Sequence, residues 1–100
     1  MVNGMRKRFD VMTVERGNEK FSEMMVSAVR YALGRRTYVV SDTCGYIKHV
    51  LPLLTENDIG TIYRDIADAE REKRLGDECD VCDWLMLKKN IEDFMRKKEE

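Results

Sequence analysis

One hundred residues, 43% hydrophobic and 37% charged, suffice for a single domain with a core near the smallest self-sufficient size, so a second copy completing it is an open alternative. Three cysteines cannot all pair within one chain, and neither a signal-peptide pattern at Met1–Asp10 nor an apolar run of about 20 residues occurs; these features argue against a disulfide scaffold or a membrane span and point to the cytoplasm. The net charge of −1 lacks the basic excess of a dedicated duplex-DNA binder, although residues 1–36 carry eight Lys/Arg against four Asp/Glu while residues 37–100 carry ten against fifteen.

Residues 1–18 read as an N-terminal arm. Phe9, Val11 and Thr13 alternate with Asp10, Met12 and Val14, a hint of one short strand that ends at Gly17-Asn18. Arg6, Lys7 and Arg8 give the arm a basic start. Residues 19–100 read as a single helical domain. Its first helix opens at Asn18 or Glu19 and runs to about Leu33, with Phe21, Met24, Met25, Ala28, Val29 and Ala32 forming the expected buried stripe. Gly34 stands where a left-handed residue closes a helix, and Arg30, Arg35 and Arg36 complement the negative end of the dipole.

The next stretch supports two readings. Thr37-Tyr-Val-Val is β-branched and aromatic, as in a strand, whereas Val40, Cys44, Ile47 and Leu51 recur at helical spacing. The favoured reading is a helix from Ser41 to Leu51 ended by Pro52, with 37–40 left open and Gly45 marking close packing or a site. Thr55-Glu-Asn-Asp58 resembles a capping box, and Ile59, Ile62, Tyr63, Ile66 and Ala69 follow as a stripe that fades through 70–75 ahead of Gly76. The last helix starts around Asp77–Asp80 and buries Val81, Trp84, Leu87 or Leu85, Ile91, Phe94 and Met95. The expected fold is mainly α: a small four-helix bundle with an N-terminal extended arm, a short β element remaining open, and antiparallel sequential neighbours.

Catalytic and metal constellations are sparse. Cys79-x-x-Cys82 with Cys44 and His49 numbers the four ligands of a zinc site, but residues five apart on a helix diverge by about 140°. Cys44 and Cys82 are therefore expected as small core residues and Cys79 as a neighbour of the cap, with no cofactor. One histidine without a nucleophile motif points away from an enzyme. Two charged groups carry more weight as partner-binding candidates. Arg30, Tyr31, Arg35, Arg36 and Tyr38 form the first: three guanidiniums gathered around one helix end would, with Tyr38, offer bidentate donors and a stacking face. Asp77, Glu78, Asp80 and Asp83 gather four carboxylates at a helix start, where they cap the helix and can imitate nucleic-acid phosphates.

The residues Ala28, Arg30, Tyr31, Ala32, Leu33, Gly34, Arg35, Thr37 and Tyr38 make up an AVRYALGR-x-TY core. In this the chain resembles small proteins encoded by phages and prophages of Gram-positive bacteria, across about residues 25–50 and more weakly at Cys79–Trp84. It departs from them in its long arm and in Gly45. The resemblance implies a small phage-type binding protein, such as an anti-CRISPR or another anti-defence inhibitor that acts on a bacterial host or defence protein. The alternatives are a nucleic-acid-binding regulator, gripping phosphates through Arg6, Lys7, Arg8 and the arginine pair, and a sponge for a nucleotide signal.

Overall fold

A computed structural model describes residues 18–35 and 37–99. The expected arm, with its basic start and short strand, lies almost wholly outside the described residues. Four helices form an up-and-down bundle: α1 over 18–32, α2 at Thr37–Val50, α3 at Glu56–Arg71 and α4 at Glu78–Glu99. A 3-10 turn, Leu51–Leu53, carries Pro52 in its first positions and links α2 to α3. There is no strand among the described residues.

Helix α2 resolves the ambiguity at 37–40. The β-branched run is helical because Val40 falls on the same line as Cys44, Ile47 and Leu51, and all four are buried. Burial of a continuous stripe outweighs the modest strand preference of two valines and a threonine. Gly45 is exposed, and a Cβ there would meet nothing within 4 Å, so close packing is not what places a glycine at that position.

The burial of α1 differs from the expected stripe. Val29 and Ala32 are inside as anticipated, but Ser22 and Val26 are buried too, while Met24 is 61% exposed and Phe21 and Met25 are half-buried. The helix is turned by about a quarter-turn relative to the apolar pattern. Two contacts accompany the rotation: Val26 enters the core, and the Thr55 backbone N–H donates to Ser22 Oγ at 3.0 Å. Thr55 in turn caps α3, its hydroxyl accepting from the Asp58 N–H at 3.2 Å, as the capping box predicts.

Cross-helix contacts fix the directions. Tyr63 donates to Glu92 at 2.7 Å, Lys88 to Glu70 at 3.1 Å, and Lys98 pairs with Glu56 at 3.1 Å, so α3 and α4 run antiparallel. The accepting Glu92 pushes the Tyr63 phenol up from its ordinary value, and Glu70 does the same for the Lys88 ammonium. Ser22 meets Thr55 and Arg30 meets Asp65, so α1 and α3 run parallel. The core fills between them with Val29, Ile47, Ile59, Ile62, Ile66, Trp84, Leu87 and Ile91, every one almost free of solvent.

Candidate functional site

The up-and-down order brings the turn after α1 and the turn before α4 to the same end of the bundle. Leu33 lines one hollow with Asp68, Glu72 and Arg74, which ties the two turns together in space. Both sequence-derived candidate surfaces therefore sit at one end.

Local geometry explains each arginine. Gly34 takes φ +82°, a backbone angle that suits glycine and closes α1 as expected. Arg30, still within α1, donates from Nε to Asp65 at 2.9 Å and so joins α1 to α3. Arg35, just past the glycine, folds back. Its Nε donates to the Tyr31 carbonyl at 3.1 Å and its guanidinium lies over the Tyr31 ring, 4.7 Å from the centroid. Arg30 and Arg35 thus turn different ways: one spans two helices and the other stacks on an exposed tyrosine. Arg36 and the side chain of Tyr38 lie outside the described residues.

The four carboxylates at the start of α4 also divide. Asp77 accepts from the Asp80 N–H at 3.1 Å and caps the helix. Glu78 is exposed. Asp83 is half-buried and borders a groove between α2 and α4 with Ser41, Lys48 and Asn90, floored by Cys44 and Leu87. Asp80 turns inward and is only 3% exposed. Its Oδ1 and the Nε1 of Trp84, one helical turn on, are both buried without a protein hydrogen-bond partner. Asp80 therefore belongs to the interior, and the acidic surface consists of Asp77, Glu78 and the edge of Asp83.

The cysteines correct a sequence expectation. Cys44 is buried as anticipated, but Cys82 is exposed, as is Cys79. Burial, reinforced by the charges of Asp83 and Asp80, pushes the Cys44 thiol up to about 12. His49 is exposed on α2. Among the described residues, no three His, Cys, Asp or Glu side chains are grouped to hold a metal ion.

The sequence groups Tyr31 with the arginines but gives the stacking face to Tyr38; Tyr31, 63% exposed, carries the stack on Arg35, which depends on the chain reversing at Gly34. An i,i+4 spacing was the available signal. The groove beside Asp83 needs the α2–α4 packing and has no local signature.

Fold and site together define an up-and-down four-helix bundle with a mixed aromatic and charged end. No helix among the described residues is long and apolar enough to cross a membrane. No protein-family model, curated protein or solved structure matches the chain.

Proposed function

We propose that the protein is a non-catalytic inhibitor of phage type, which binds a bacterial host or defence protein stoichiometrically in the cytoplasm, with CRISPR nucleases the first class of target to examine. The observation that supports this reading is the exposed Arg35–Tyr31 stack, which shares one end of the bundle with the carboxylates of Asp77 and Glu78. Tyrosine and arginine dominate the energetic centres of protein interfaces, because they combine large contact area with directional donors. A guanidinium held flat on a ring loses little freedom when it grips a partner's carboxylate. The neighbouring carboxylates suit a basic surface, such as a groove that normally receives nucleic-acid phosphates. The AVRYALGR-x-TY core supports the phage origin.

The test uses C-terminally tagged protein to capture partners from bacterial lysate, with and without added nuclease, followed by DNA-cleavage assays with purified CRISPR nucleases. The expected result is an equimolar protein partner that survives nuclease treatment, and cleavage inhibited at one inhibitor per enzyme. Arg35→Glu and Glu78→Lys should each lose capture while the protein remains folded at the assay temperature. Recovery only through nucleic acid would replace this reading with a nucleic-acid-binding regulator. A melting temperature raised by a nucleotide alone would replace it with a sponge.

A further inference from the structure

Cys79 and Cys82 are both exposed and lie in the opening turns of α4. At about 100° per residue they stand about 60° apart, with Met86 between them in projection one turn further along. Met86 is 61% exposed, and the core residues Trp84, Leu87 and Ile91 occupy the opposite side of the helix. Side chains three residues apart on a helix have Cβ atoms about 5–6 Å apart. Rotation about χ1 brings two such sulfurs together on one ion with Zn–S bonds of about 2.3 Å.

This pair is half of a tetrahedral site. Among the described residues no third His, Cys, Asp or Glu groups with it, since Cys44 is buried and His49 is exposed on α2. A second copy, turned about a two-fold axis through the ion, supplies the missing two thiolates from the same face. The flanking charge favours the same assembly. Asp77 and Glu78 are exposed and Asp83 is half-buried, so the surroundings of the thiols attract a divalent cation. Without a cation, those carboxylates set two copies of this face against each other. The exposed Met86 of each copy then covers the ion from one side.

We propose that Cys79 and Cys82 from two copies of the chain bind one zinc(II) ion in a tetrahedral, all-thiolate site, forming a dimer that exists only with the metal. Four Zn–S bonds form, four thiol protons pass to solvent, and nothing is oxidised or reduced. Zinc affinity accordingly rises with pH through the thiol range. The dimer face lies on the outer side of α4 and borders the Asp77 and Glu78 carboxylates of the partner-binding reading, but its test reads zinc and mass with no partner present.

The experiment titrates metal-free, reduced full-length protein with zinc chloride against a chromophoric chelator, and follows mass by sedimentation velocity in the same samples. Saturation at one zinc per two chains, with mass doubling and reverting on addition of EDTA, is the expected result. Cys79→Ser and Cys82→Ser should each lose both uptake and dimer while keeping the wild-type far-UV circular dichroism. One ion per chain at unchanged mass would overturn the proposal. So would an absence of saturable uptake, uptake unaltered in the serine variants, or a dimer that persists in chelator.

Discussion

Ser22 is fully buried, and its hydroxyl accepts the backbone N–H of Thr55, the residue that caps α3. One small side chain thus ties the start of α1 to the start of α3. Ser22→Ala keeps the volume nearly constant but leaves that part-buried N–H without its acceptor, which costs about 1 kcal/mol. Urea denaturation should show a lower midpoint with an unchanged slope, and a midpoint equal to wild type would mean the bond contributes nothing net. Cys44 makes a second prediction. Its thiol is raised to about 12 in the folded chain against an ordinary 9.0, so between those values the folded state holds a proton that the unfolded state has lost. Stability from this residue is complete below pH 9 and drains away as pH climbs toward 12. In the native protein an aromatic disulfide reagent should therefore modify Cys79 and Cys82 quickly and Cys44 only after unfolding. Cys44→Ser should flatten the alkaline loss, and an unchanged profile would assign that loss to other groups.

At the scale of elements, the end of α3 is built against a local preference. The Lys73 N–H donates to the Glu70 carbonyl at 3.1 Å and the Arg74 N–H to the Ala69 carbonyl at 2.7 Å, the paired bonds of a Schellman closure. The closing residue, Lys73, takes φ +58°, where a side chain with a Cβ is disfavoured. Lys73→Gly should stabilise the fold by about 1 kcal/mol. Gly76→Ala should act in the opposite direction, because φ is +110° there and a Cβ would stand 2.6 Å from Asp80 Oδ2. Thermal unfolding of the two variants checks the signs, and a stabilised Gly76→Ala would contradict the geometry. These particulars also show what sequence can carry. The capping box at Thr55–Asp58 and the Gly34 closure were legible because their partners lie within four residues. The rotation of α1 was not, because the N–H that a buried Ser22 accepts lies 33 residues away. Residues 37–40 held two local signals of comparable weight, and only the buried line through Val40 chose between them. Within the candidate site, sequence grouped arginines and carboxylates by position alone. It could not tell that Arg30 turns toward Asp65 or that Asp80 turns inward, since both directions are set by neighbouring helices.

At the scale of the whole molecule, the up-and-down order gives two neighbouring arginines opposite duties, and that separates folding from binding. Arg30 holds α1 to α3 through Asp65, and the same hollow contains Asp68 and Glu72. Arg30→Glu would set a carboxylate among three others. The original pair is 61% and 23% exposed, so solvent screening limits its contribution, and the reversal should cost about 1 kcal/mol in dilute buffer. Added salt should shrink that loss, because exposed charges are screened beyond about 10 Å at 0.1 M. Among the described residues Arg35 contacts only the carbonyl and ring of Tyr31, so Arg35→Glu should cost no more than about 1 kcal/mol, from the lost stack and a carboxylate at the negative end of α1. If this end of the bundle is the binding surface, Arg35→Glu removes partner capture from a protein that is still folded, whereas Arg30→Glu reduces capture only as far as unfolding does. Measuring melting and capture for both variants, at low and high salt, separates the two duties. An Arg35→Glu protein that is folded and still captures its partner would take the binding role away from the Tyr31 stack.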